Sequence, residues 1–142
     1  MATQTCRLGK RCFAIMLCVA MACSFAGVVE AYAAGNVDNS PYSYSIKANG
    51  TTFTNDYRAK NNSSKVGVTP STKDYYVSPN GYVPKTGKAY HAGTRTYVNW
   101  TGFEKGIANT INKKYSYAKL AFDAGGKGAR TCKGKWRPDT TK

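Results

Sequence analysis

Near the end of the chain, Lys127, Arg130, Lys133, Lys135 and Arg137 follow one another with no acid among them. Ammonium and guanidinium groups at this density attract phosphate and carboxylate. In a strand, residues two apart share a face, so Lys133, Lys135 and Arg137 form one stripe. Arg130 then shares the opposite face with Cys132, Gly134 and Trp136, which turn inward. Gly125, Gly126 and Gly128 around Lys127 invite a phosphate-cradle reading. A nucleotide loop, however, needs Lys then Ser or Thr after its last glycine, with a helix following. Here Ala129 and Arg130 follow, so a flexible hairpin loop is expected, with a shallow anion nest as the weaker alternative.

Groups for catalysis are sparse. His91 is the only histidine and sits in a loop-like Lys-Ala-Tyr-His-Ala-Gly-Thr context. No serine lies in a Gly-x-Ser-x-Gly elbow. Asp38, Asp56, Asp74, Glu104, Asp123 and Asp139 all border turn-like segments, where acids act as turn formers. Clustered carboxylates for calcium and a second histidine for a transition metal are both missing from the pattern. The expectation is a non-enzyme without cofactor or metal.

The elements that must position the basic stripe begin after residue 33. Arg7, Lys10 and Arg11 precede an uncharged run, Cys12–Val29, and Ala31-Tyr32-Ala33 offers small residues for a signal peptidase. This predicts a signal peptide at 1–33, cleavage before Ala34, a flexible lead-in at 34–40 and one β-sandwich-like domain at 41–142. An uncleaved anchor is the rival reading of the 18-residue apolar run. Without Arg7, Lys10, Arg11 and Glu30, eighteen basic and six acidic residues remain, a net charge of +12. Four cysteines fall in the leader, so Cys132 stands alone, without a disulfide partner, and is read as a small buried hydrophobe.

Period-two alternation is clearest at Pro41–Ala48, where Tyr42, Tyr44, Ile46 and Ala48 share a face. Asn49-Gly50 predicts a hairpin to a returning strand at Thr51–Thr54 and Tyr57–Ala59. Val66–Thr69 reads as a short strand closed by Pro70, and Asp74–Val77 and Tyr82–Val83 flank an expected tight turn at 78–81. Pro84–Gly93 reads as a connector, and Thr94–Trp100 alternates again. Gly102–Asn112 is ambiguous between irregular chain and a short helix opened by a Thr101/Glu104 capping box. Tyr115–Phe122 and Ala129–Trp136 read as a closing hairpin, with Lys113 and Lys114 beside the basic stripe across it. Trp100 and Trp136 are the expected core anchors. The fold class is all-β, a small antiparallel β-sandwich or partly open barrel after the signal peptide.

Two clusters carry a resemblance: Asp38–Asn49, which ends Ile46-Lys47-Ala48-Asn49 and is followed by Tyr57-Arg58, and Gly134-Lys135-Trp136-Arg137-Pro138-Asp139. They resemble a family of small secreted proteins of Gram-positive bacteria known as a domain of unknown function. In that family an aromatic strand ending I-K-A-N opens the mature chain and G-x-W-x-x-D closes it. The resemblance implies a β-rich fold and export, and no catalytic residue.

Ten tyrosines, two tryptophans and three phenylalanines accompany the charge after residue 33. Flat rings and cations could stack on single-stranded nucleic acid, but export makes anionic wall polymers or lipid head groups the polyanions at hand. The expected function is a secreted, basic, non-catalytic domain contacting anionic cell-envelope material, with Lys113, Lys114, Lys127, Arg130, Lys133, Lys135 and Arg137 as candidates. Nucleic acid is not the expected physiological partner. A bacteriocin-like toxin or its accessory factor is the alternative, and lysines serving solubility alone are the plain competitor.

Overall fold

A computed structural model describes residues 35–141, so the expected signal peptide at 1–33 lies outside the described residues. In chain order the first five strands are β1 (Ser40–Ile46), β2 (Thr51–Phe53), β3 (Arg58–Ala59), β4 (Val66–Pro70) and β5 (Tyr75–Val83). They are followed by β6 (Lys88–His91), β7 (Thr96–Val98), β8 (Lys105–Ile107), a 3₁₀ turn at Ile111–Lys113, β9 (Tyr117–Asp123) and β10 (Arg130–Arg137). All the strand pairings are antiparallel and fall into two sheets. The first sheet runs β1-β10-β4-β8. The second runs β2-β9-β5-β6, with β3 also on β9 and β7 also on β5.

The alternation read from the sequence is what divides each strand between core and solvent. In β1, Tyr42 and Ile46 are buried while Ser43 and Ser45 are exposed. In β10, Cys132, Gly134 and Trp136 are buried while Lys133 and Lys135 face out. The two sheets meet through rings: Phe122 of β9 lies 4.9 Å from Tyr42 and 5.9 Å from Tyr44, both of β1. The Tyr42 and Tyr75 hydroxyls bond to each other at 2.8 Å, so neither is left unsatisfied by its burial. Trp100 and Trp136 both lie in this core, as expected, and so does Cys132.

Several pairings differ from expectation. Asn49-Gly50 does make a sharp bend, with Gly50 at φ 106°, but β1 and β2 do not form a hairpin. β1 pairs along its whole length with β10, and β2 pairs with β9 in the other sheet. A seven-residue strand with buried rings gains more from a full-length partner than from the three residues of β2. The glycine loop after β9 behaves the same way. It carries the chain from one sheet to the other, so β9 and β10 are not hairpin partners, and Lys113 and Lys114 do not lie across from the stripe.

The expected turn at 78–81 is instead the middle of β5, where Pro79 stands opposite Leu120. Proline is tolerated because its missing N–H falls between β6, which pairs with 80–83, and β7, which pairs with 75–77. The Pro79 carbonyl on that side accepts from the Ala92 amide at 3.4 Å. The 84–93 connector contains β6, so His91 closes a strand, still exposed. Gly102–Asn112 holds β8 and the start of the 3₁₀ turn, with no α-helix; Glu104 is drawn away to Arg137, and Gly102 sits at φ 81°.

The chain ends in a buried junction. Asp139 is fully buried and accepts from the backbone amides of Asn36 at 2.8 Å and Asn61 at 3.0 Å, and from the Lys60 ammonium. Asn36, within the expected flexible lead-in, is therefore held in place.

Candidate anion-binding face

β10 is an inner strand of its sheet, between β1 and β4, and this position decides what its outward side chains can meet. Lys133 stands opposite Ser43 of β1, and Lys135 stands between Pro41 of β1 and Thr69 of β4. The Lys133 backbone is clasped by the segment after β4: its amide donates to Thr72 Oγ1 at 2.9 Å, and its carbonyl accepts from the Ser71 amide at 2.8 Å. Lys135 lines a shallow hollow with Thr69, Pro70, Ser71, Thr101 and Gly102. Lys47, exposed just past the end of β1, continues the outward register of Ser43 and Ser45. Two lysines at i and i+2 stand roughly 7 Å apart along a strand, with hydroxyl groups bordering both.

The other candidates are already engaged. Arg137 points outward as expected, but it grips Glu104 with two hydrogen bonds of 2.7 Å each. This carboxylate pushes the guanidinium pKa higher still, and the pair cancels in charge. Gly67 makes room for it; a Cβ there would stand 2.6 Å from Glu104 Oε2. Arg130 lies on the opposite face, as the alternation required, and donates to the carbonyls of Gly128, Asp74 and Lys127. Lys127 rests over the Tyr97 ring at 4.9 Å, at the edge of the other sheet. Lys113 ends the 3₁₀ turn, and Lys114 lines a hollow with Tyr82, Pro84 and Tyr117. Lys133 and Lys135 thus project side by side, Lys47 shares their face four residues along β1 from Ser43, and Lys113, Lys114 and Lys127 are placed elsewhere.

Sequence reasoning missed the hydroxyl border. It comes from three separate segments, and nothing in the sequence says that β4 and β1 flank β10. It also missed Glu104 as the partner of Arg137, because the acid matched a capping box.

The groups with catalytic chemistry do not converge. Cys132 lies inside the first sheet, with its Sγ 3.5 Å from the Tyr44 carbonyl, and burial pushes its thiol up to about 11. His91 sits on the outer face of the second sheet, opposite Asn80. Among the described residues, no cluster of three or more His, Cys, Asp or Glu is placed to hold a metal ion.

Two antiparallel sheets around an aromatic core, with a lysine-bearing, hydroxyl-bordered outer face, define a small β-sandwich domain. The chain belongs to the family described as a protein of unknown function, DUF2712, whose model matches residues 29–140 and so spans both clusters of the resemblance. No curated protein and no solved structure matches the chain.

Proposed function

We propose that this chain is a secreted, basic, non-catalytic β-domain of a Gram-positive bacterium that binds anionic cell-envelope material through the outer face of the first sheet. The observation that carries the reading is the pair Lys133 and Lys135. They project together from an inner strand, and Glu104, the acid that meets this stripe, is committed to Arg137. Phosphate groups of wall polymers and of lipid heads share the chemistry such a pair attracts. Neighbouring serine and threonine hydroxyls add neutral donors for the same oxygens. The charged leader and the small-residue site before Ala34 support export, which sets envelope polyanions ahead of nucleic acid as partner.

Sedimentation with isolated cell walls and with vesicles carrying anionic lipid tests this reading and separates the two sources. Binding to either one, weakened in the Lys133→Gln/Lys135→Gln variant, supports it. No binding to either, or binding indifferent to the double variant, would overturn it.

A further inference from the structure

The outer face of the second sheet carries a different surface. Because side chains alternate along strands, Tyr82 and Asn80 of β5 point outward together, and each meets its cross-strand partner on the same face. Tyr82 stands opposite Tyr117 of β9, and Asn80 stands opposite Lys119 of β9 on one side and His91 of β6 on the other. Tyr57, just before β3, completes the group: its ring lies 4.8 Å from Tyr82, tilted by 32°, and 5.2 Å from Tyr117, nearly perpendicular at 85°. Tyr57 is 45 % and Tyr117 36 % exposed, so both rings are open to solvent. Lys119 places its ammonium 4.5 Å over the Tyr82 ring, and among the described residues no carboxylate pairs with it.

We propose that this corner binds an acidic polysaccharide, with sugar rings against Tyr57 and Tyr117 and a carboxylate or phosphate substituent on Lys119. Sugar rings have apolar C–H faces and polar rims, which suits phenol rings beside imidazole and ammonium groups; the Asn80 amide is buried beneath them and donates to the Ser78 carbonyl at 2.9 Å. The near-perpendicular ring pair makes a corner, whereas a ladder of stacked bases needs flat faces in series. The ring face of Tyr82 is taken by Lys119, and Lys114 lines the hollow beside Tyr82 and Tyr117, so two lysines border the corner. Two cations at one end of the ring group complement an occasional acidic sugar better than a phosphate at every unit. At the other end of this face the cation is neutralised, since Arg95 is bonded to Asp123 through Nε at 2.9 Å. The surface lies on the sheet opposite Lys133 and Lys135 and does not depend on them.

The test is a titration of the full chain with a hyaluronan hexasaccharide, its carboxyl-reduced neutral counterpart and a short single-stranded oligothymidine, followed by amide and tyrosine NMR shifts. The proposal expects shifts confined to the strands around Tyr57, Tyr82 and Tyr117. It expects about a tenfold weaker dissociation constant for Tyr57→Ala or Tyr117→Ala, whose partly exposed rings can be removed without opening the core. Lys119→Gln should abolish the preference for the acidic over the reduced sugar, while Lys133→Gln/Lys135→Gln leaves binding unchanged. Absence of shifts at millimolar sugar, tighter binding of the oligothymidine, or shifts that follow protein concentration alone would each overturn it.

Discussion

Asp139 shows how much one carboxylate can hold when it is the shared acceptor of a buried junction. It joins the Lys60 ammonium, which also donates to the carbonyls of Asn62 at 2.8 Å and Ser64 at 2.7 Å. Burial pushes the Lys60 pKa down, and its bond to Asp139 pulls it back. Removing one member strands the other without solvent, so Asp139→Asn should cost about 3–5 kcal/mol in urea unfolding. A loss below about 1 kcal/mol would mean that the junction is open to water. This role was not legible beforehand, because an aspartate after proline reads as a turn former and a lysine in Lys-Asn-Asn-Ser-Ser-Lys reads as loop.

Cys132 was legible from its place in an alternating strand. Its thiol is raised from 9.0 to about 11 by burial, and the Tyr75 hydroxyl is raised to about 12, again chiefly by burial. Both groups are neutral in the fold and ionise more easily once unfolded. The thiol's contribution is therefore complete below pH 9 and is lost as pH rises toward 11, while that of the Tyr75 hydroxyl is complete below pH 10 and is lost toward 12. For the thiol alone, stability should drop by about 2–3 kcal/mol over that interval. Urea melts at pH 8 and pH 11 check this, and Cys132→Ala should flatten the difference; an unchanged pH dependence in that variant would assign the loss to other groups.

Among the elements, what could be read was the inside and outside of each strand, and what could not be read was its neighbour. Tyr42, Ile46 and Trp136 declare their face by period two. Asn49-Gly50 and Gly125-Gly126 declare a bend, but a bend does not say whether the chain returns beside itself or crosses to the other sheet. Pro79 hid β5 because proline penalises a strand only where its N–H would be needed, and here two short neighbours leave that position unpaired. The G-x-W-x-x-D ending gains a physical meaning from these pairings. Trp136 fills the core, Asp139 closes the junction with Asn36, and Gly134 leaves room for its neighbours. A Cβ at 134 would stand 2.5 Å from both the Tyr42 hydroxyl and the Thr69 carbonyl oxygen. The carbonyl belongs to a paired strand and cannot swing aside, so Gly134→Ala should destabilise by about 1–3 kcal/mol. Chemical denaturation measures it, and a neutral result would mean that β4 can shift away from β10.

At the scale of the whole molecule, charge is plentiful, and the fold engages much of what the stripe carried. Arg137, Arg95 and Lys60 have acids, Arg130 has carbonyls, and Lys119 and Lys127 lie over rings, which leaves Lys133 and Lys135 as the projecting pair of the original stripe. The sequence displayed the excess of cations and the stripe's alternation. It could not display which cations the fold would neutralise, because those acids and carbonyls come from distant positions. The central claim is that this remaining pair makes a salt-sensitive contact with envelope polyanion. The measurement that addresses it most directly is the affinity of the full chain for isolated cell walls across a sodium chloride series, beside the Lys133→Gln/Lys135→Gln variant. The account predicts that log affinity falls linearly with log salt and that the variant's slope is shallower by about two, one for each lost contact. Retention in molar salt, or identical slopes for the two proteins, would contradict it.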